Sequence, residues 1–365
     1  MTDWYSIAGG LVLLTIGAEI LIRGATALAR QFGVSELLIG LTLVGFGTST
    51  PELVSSVQAA LSGSPGVAVG NVVGSNIANI LFILGLSAMI TPLLVDKQLI
   101  RQEVPIMIGV TLLFAALTLD GGISLTDGAI FVALMIGYTT FLIVQSRRQT
   151  KAQHDALDDE YAESIGENTT GWDSTLPVQI VLIVAGLGLL VLGSNLLVEA
   201  AIVFARYLGL SEAVIGLTIV AAGTSLPEVA ASVTAALRGQ RDIAVGNVVG
   251  SNTFNILGAL GVSAMVAPSA LTLPPSMLAF DIPVMTAVAI ACLPIFMTGN
   301  LIARWEGALF FAYYVAYTLY LIMAAKDHDA LGDYAFVMQT IALPLTAITL
   351  VIIVVRHLRG RRMGV

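Results

Sequence analysis

Gly47-Thr48-Ser49-Thr50-Pro51-Glu52 recurs 176 positions later as Gly223-Thr224-Ser225-Leu226-Pro227-Glu228. Gly70-Asn71-Val72-Val73-Gly74-Ser75-Asn76 recurs unchanged, at the same offset, as Gly246-Asn247-Val248-Val249-Gly250-Ser251-Asn252. Each copy sets a glutamate, hydroxyls, amides and helix-breaking residues inside apolar sequence. Such blocks in corresponding halves of a membrane chain are the sequence sign of a transporter with repeated halves.

The surrounding chain supplies the membrane. Its 365 residues are 57% hydrophobic and 11% charged, with a mean hydropathy of +0.92; a soluble protein carries about 25% charged residues. The apolar runs are apolar on nearly every face, whereas the strands of a membrane barrel alternate. The chain reads as an all-α polytopic membrane protein. Eleven hydrophobic segments are expected, at roughly 4–30, 35–61, 66–90, 103–119, 126–145, 177–206, 211–237, 242–266, 281–298, 305–324 and 338–355. Residues 1–145 form a first five-helix repeat and 177–325 a second, giving a ten-helix core. Residues 146–176 are an acidic cytosolic linker, and 326–365 add an eleventh transmembrane helix with a basic tail.

Lysine and arginine orient the segments. With the N-terminus outside, 14 of the 16 basic residues fall inside, and only Arg206 and Lys326 fall outside. The eleventh segment then returns the Arg356–Arg362 cluster to the cytoplasm. Five helices per repeat make the second repeat enter from the opposite side, so the halves are inverted about an axis in the membrane plane. An inner (plasma) membrane of a prokaryote is the expected location.

Other classes find little support. The net charge of −8 comes largely from the linker (Asp155, Asp158, Asp159, Glu160, Glu163, Glu167, Asp173). No basic patch interleaves with aromatics, so no nucleic-acid partner is expected. Cys292 is the single cysteine, which excludes an internal disulfide and a cysteine-based metal site. Met1-Thr2-Asp3-Trp4 lacks a basic n-region, so no cleaved signal peptide is expected. There is no Walker motif and no catalytic aspartate pair in the motif helices. The chain reads as a non-enzyme without cofactor, whose partners are the bilayer and its ions, with no required protein partner.

The chemistry lies in the motifs. Glu52 and Glu228 stand mid-span, where a lone charge costs on the order of 3 kcal/mol. No basic residue lies mid-span in either motif helix, so a mobile cation is the expected counter-charge. Thr48, Ser49, Thr224 and Ser225 supply hydroxyls one turn earlier. Pro51 and Pro227 each free a carbonyl in the preceding turn, and Gly45, Gly47 and Gly223 loosen the helix there. Carboxylates, hydroxyls and carbonyls make a hard-oxygen cage suited to Na⁺ and Ca²⁺. Ser75 and Asn79, at i and i+4, share one helix face, and Ser251 and Asn255 repeat them. Gly70, Gly74, Gly246 and Gly250 allow close helix approach. Asn71, Asn76, Asn247 and Asn252 either cap or pack against the broken helix ends. Glu19 and Arg23 read as a pair, and Glu103 and Asp281 as matched helix starts outside the site.

At these residues the chain resembles the Ca²⁺/cation antiporter superfamily, specifically the prokaryotic sodium/calcium exchangers, over segments one to ten. The Gly-Thr-Ser-x-Pro-Glu and Gly-Ser-Asn-x-x-Asn blocks match that family's two α-repeats. The resemblance implies four cation sites in a diamond between segments two, three, seven and eight. It implies that Glu52 and Glu228 bridge the Ca²⁺ and Na⁺ sites and that Gly45 and Ala221 offer backbone carbonyls. It also implies that Ser75, Asn79 and Ser251 complete the coordination while segments one and six slide. Asn255 departs from the aspartate of well-studied members. The function expected is Na⁺/Ca²⁺ antiport by alternating access. Ca²⁺/H⁺ antiport is the alternative that Asn255 raises, and a cation channel a remoter one.

Overall fold

The computed structural model describes residues 2–32, 34–156, 175–207, 221–325, 331–346 and 351. The first half contains α1 (Thr2–Phe32), α2 (Glu36–Thr48), α3 (Thr50–Leu61), α4 (Pro65–Ile90), α5 (Leu99–Leu117) and α6 (Leu125–Ala156). The second contains α7 (Leu176–Tyr207), α8 (Ala221–Thr224), α9 (Leu226–Leu237), α10 (Arg241–Val266), α11 (Met277–Met297) and α12 (Arg304–Ala325). α13 follows over Leu331–Val337 and runs on as a π turn, Met338–Ala342.

Among the described residues eight helices are long and apolar enough to cross a membrane, and α2 with α3, bent by 42°, makes a ninth span. These nine match the expected segments one to six and eight to ten. Of segment seven, α8 and α9 are described and 208–220 lie outside the described residues. The last segment begins at Leu331, earlier than its hydropathy indicates. It docks on α12 through Tyr334 Oη to Ala316 O (2.8 Å) and Tyr313 Oη to Ala342 O (3.1 Å). The basic tail lies outside the described residues. α6 runs past position 146 into the expected acidic linker and is described as far as Ala156; residues 157–174 lie outside the described residues.

Glycines set how the halves meet. α1 and α7 touch backbone to backbone along a seam of seven-residue spacing. A Cβ on Gly17 would lie 2.9 Å from Gly186 O, and one on Gly193 would lie 2.8 Å from Gly10 O. Low numbers on one helix meet high numbers on the other, so these equivalent helices run antiparallel, as inverted repeats require. Gly85 meets Gly307, and Gly128 meets Gly261. The fifth helix of each repeat thus packs on the third helix of the other. α4 and α10 form the centre: 72% and 83% of their apolar windows are buried, against 11–39% for the other single spans.

The loops carry four short strands that hydropathy does not reveal. β1 (Leu93–Leu94) pairs antiparallel with β4 (Leu301–Ile302), and β2 (Gly122–Ile123) with β3 (Leu271–Thr272). Backbone polar groups of one repeat are thereby satisfied by the other. The matched acids at the starts of α5 and α11 are also more than helix starts. Glu103, fully buried, accepts from Tyr138 (2.7 Å), Gln98 (3.1 Å) and Gln102 (2.6 Å). Asp281 accepts from Tyr317 at 2.7 Å. Each acid clasps the fourth helix of its repeat to the fifth. Glu19 pairs with Arg238 at the end of α9, a cross-helix partner that the i, i+4 spacing with Arg23 does not suggest.

The seam generates a test. A Cβ on Gly186 would meet Leu21 N at 2.7 Å, whereas one on Gly188 meets nothing within 4 Å. Gly186→Ala is expected to destabilise by about 1–3 kcal/mol through overpacking, and Gly188→Ala to leave the unfolding midpoint unchanged. Thermal unfolding of both purified variants checks the contrast.

Candidate cation-binding site

The breaks in the two motif helices have the same geometry. Ser49 ends α2 at φ −81°, ψ 6°, and Ser225 ends α8 at φ −87°, ψ 6°. A proline follows each by two residues and withdraws the N–H that the carbonyl four residues earlier would accept. At Gly223 that carbonyl accepts instead from the Ser194 hydroxyl of α7, at 2.6 Å. The break lets each serine leave its own helix and reach across the pseudo-two-fold axis. Ser49 donates to Glu228 Oε1 at 2.9 Å, and Ser225 donates to Glu52 Oε1 at 3.0 Å.

The second wall is built from α4 and α10, which turn from α to π geometry at equivalent residues. The π turns cover Asn79–Leu84 and Asn255–Leu260. Asn79 Nδ2 donates to Asn252 Oδ1 at 2.9 Å, and Asn255 Nδ2 donates to Asn76 Oδ1 at 3.1 Å. Four side chains are thus held by one end. The other end of each, Glu52 Oε2, Glu228 Oε2, Asn79 Oδ1 and Asn255 Oδ1, is a buried oxygen with no hydrogen-bond partner. Buried acceptors are normally paired, and leaving one unpaired costs about 1–3 kcal/mol. Four such oxygens, at two pairs of positions related by the 176-residue offset, have the chemistry that a hard cation would satisfy.

The remaining predicted residues are arranged around these four. Ser251 donates to Gly45 O at 3.2 Å, which brings a predicted hydroxyl and a predicted carbonyl together across the repeats. Ser75 Oγ lies 3.2 Å from Ser225 Oγ. Thr48 Oγ1 lies 3.0 Å from Val44 O and 3.1 Å from Asn247 Oδ1, and Thr224 Oγ1 lies 3.4 Å from Asn71 Oδ1. Both threonines are therefore engaged by the asparagine layer. Ala221 is the first described residue of α8, four positions before the break at Ser225. The described candidate side chains are buried, except Thr224, which is half-buried.

Sequence reasoning leaves the four flanking asparagines open between capping and packing; the geometry separates them. Asn71 Nδ2 donates to Glu52 O (3.2 Å) and Ser56 Oγ (3.0 Å), and Asn247 Nδ2 to Glu228 O (3.4 Å) and Ser232 Oγ (2.8 Å). This pair braces the glutamate-bearing helices. Asn76 and Asn252 instead hold Asn255 and Asn79. Ser56, Ser232 and Ser194 escape the motif reading, although the first two recur at the 176-residue offset. Of the close approaches expected at glycines, Gly250 is the tightest, since a Cβ there would lie 2.2 Å from Leu41 O.

The donor set is all oxygen: two carboxylates, with amides, hydroxyls and carbonyls. Among the described residues no three His, Cys, Asp or Glu side chains gather as a metal cluster. The site therefore holds few fixed charges, and these suit a cargo that must leave again.

The sodium/calcium exchanger protein family matches residues 2–144 and 178–323, most of the chain and both repeats. The chain belongs to this family. The sodium/calcium exchanger MaX1 of Methanosarcina acetivorans is 35% identical over 338 residues, 86% of this chain and 96% of that protein. The inner membrane protein YrbG of Escherichia coli is 37% identical over 259 residues, 71% of this chain and 78% of YrbG. A solved structure of the sodium-calcium exchanger NCX_Mj superposes with a TM-score of 0.73 at 31% identity, covering 89% of this chain and 98% of NCX_Mj. An exchanger fold, integral to a membrane, is the frame in which the paired glutamates sit.

The contrast between unpaired and paired acids is testable without transport. Glu52→Met, in cation-free detergent with a chelator, is expected to raise the unfolding midpoint, because it removes a buried carboxylate with an unsatisfied oxygen. Glu103→Met is expected to lower stability by about 1–3 kcal/mol, because three donors lose their acceptor. Thermal unfolding of both variants reads the opposite signs.

Proposed function

We propose that this chain is a secondary active antiporter in which Na⁺ entry drives Ca²⁺ extrusion. The observation that carries the reading is the set of four buried, unpartnered oxygens, two of them carboxylate, arranged symmetrically about the centre. The names of MaX1 and NCX_Mj point to the same two ions. Ca²⁺ takes six to eight oxygens. Glu52, Glu228, Asn79 and Asn255 supply four, and Ser75, Ser251, the carbonyls of Gly45 and Ala221, the hydroxyls of Thr48, Ser49, Thr224 and Ser225, and water supply the rest.

Exchange follows from charge. Two carboxylates carry two negative charges, which one Ca²⁺ or a small set of Na⁺ ions compensates. Both cargoes need the same oxygens, so each displaces the other. An empty site leaves two uncompensated charges in a low-dielectric interior, and crossing in that state is disfavoured. The loaded protein crosses and the empty one does not, which couples the two fluxes without ATP.

The rest of the assignment follows the same reading. Residues 1–145 and 177–325 are the two repeats, and 326–365 add the extra helix and tail. The chain sits in a prokaryotic plasma membrane with its N-terminus outside and its C-terminus cytoplasmic. On this reading no protein partner and no cofactor is required.

The test is ⁴⁵Ca²⁺ uptake into proteoliposomes loaded with Na⁺, compared with choline-loaded vesicles under an imposed pH gradient. Uptake is expected to require internal Na⁺ and to fall by more than about tenfold in Glu52→Gln and in Glu228→Gln, since each loses a charge-assisted contact. Uptake driven by the pH gradient alone would reassign the chain to Ca²⁺/H⁺ antiport.

A further inference from the structure

We infer that Asn76 and Asn252 are positioning residues that fix which end of the Asn255 and Asn79 amides faces the transported cation, each acting across the repeat boundary. The inference rests on the proposed cation site and adds what makes its neutral wall usable.

An amide presents an oxygen or an NH₂ group depending on a half-turn about its last bond, and only the oxygen attracts a cation. At Asn255 the half-turn is decided from the other repeat. Asn76 Oδ1 lies 3.1 Å from Asn255 Nδ2 and accepts its hydrogen, which leaves Asn255 Oδ1 as a buried oxygen without a partner. Asn76 is itself locked, since its Nδ2 donates to the backbone carbonyl of Asn252 at 3.2 Å. A flipped Asn76 would lose that bond and would turn a donor toward the donor of Asn255. The symmetric half is set likewise: Asn252 Oδ1 accepts from Asn79 Nδ2 at 2.9 Å, and Asn252 Nδ2 points at Met107 Sδ, 3.6 Å away. All four asparagines are buried.

This arrangement also bears on the charge of the site. An aspartate at 255 would bring a carboxylate oxygen to the place where Asn76 now offers a lone pair. Asn76 would have to flip to meet it and would forfeit its bond to Asn252 O. The orientation of Asn76 thus matches an amide at 255, and the pair keeps this wall neutral, with both negative charges on Glu52 and Glu228.

The test is a double-substitution cycle in Na⁺-loaded proteoliposomes, reading half-saturating Ca²⁺ and maximal rate separately. Asn76→Leu removes the acceptor, and half-saturating Ca²⁺ is expected to rise about tenfold, with the maximal rate within about twofold. Asn255→Leu removes the amide itself and raises it by at least as much. The double variant is expected to be no worse than Asn255→Leu, because Asn76 acts through Asn255. Asn76→Asp keeps the acceptor toward Asn255 but loses the donor to Asn252 O, so half-saturating Ca²⁺ is expected to rise by less than in Asn76→Leu. Multiplying losses in the double variant, a loss confined to maximal rate, or an Asn76→Asp defect equal to that of Asn76→Leu would overturn the inference and leave the transport reading intact. Wild-type protein that shows no saturable Ca²⁺ flux would overturn both.

Discussion

The centre of this molecule is arranged around two carboxylates that have, among the described residues, no cationic side chain to pair with. Glu52 and Glu228 are buried, and each accepts a hydrogen bond from a serine hydroxyl of the opposite repeat. A protein that only needed to be stable would replace them with hydrocarbon. Keeping them demands helix breaks that aim the serines, an asparagine layer that braces the backbone behind them, and central helices whose walls approach to backbone contact. Glu103, equally buried, shows the contrast. It is saturated by tyrosine and glutamine donors and leaves nothing for an ion to do.

The repeats are interdependent as well as alike. Ser49 serves Glu228, Ser225 serves Glu52, Asn76 serves Asn255 and Asn252 serves Asn79. The β1–β4 and β2–β3 ladders and the Gly85–Gly307 and Gly128–Gly261 contacts cross the same boundary. Neither half can close its own site or satisfy its own loop backbone. This crossing is a consequence of inversion: an antiparallel partner presents each motif to its twin head-on.

Much of this was legible in the residues. The 176-residue offset, the glutamates and the break at Ser49 and Ser225 are local features, and hydropathy finds the long helices. The π turns at Asn79 and Asn255 were hidden, because one extra residue in a helical turn leaves no compositional trace. The bonds of Asn76 and Asn252 were hidden for another reason, since they join positions that only the assembled repeats bring together. Glu19 shows where local rules stop: the i, i+4 spacing points to Arg23, and only the fold brings Arg238 from another helix to the same acid. The four short strands are likewise decided by partners that hydropathy does not see.

The Glu19–Arg238 pair also breaks the two-fold pattern. At the 176-residue offset, Glu19 corresponds to Asn195, and Arg238 to Ser62. A machine with perfectly equivalent halves would have two symmetry-related states of equal free energy, and a loaded population would divide evenly between them. An ion pair on one side only removes that equality, in favour of whichever state keeps Glu19 beside Arg238. An exposed pair contributes about 0–1 kcal/mol, enough to shift a ratio of one by up to about fivefold. A balance between two loaded states can therefore be set at the rim of such a protein, by two residues that stand apart from Glu52 and Glu228.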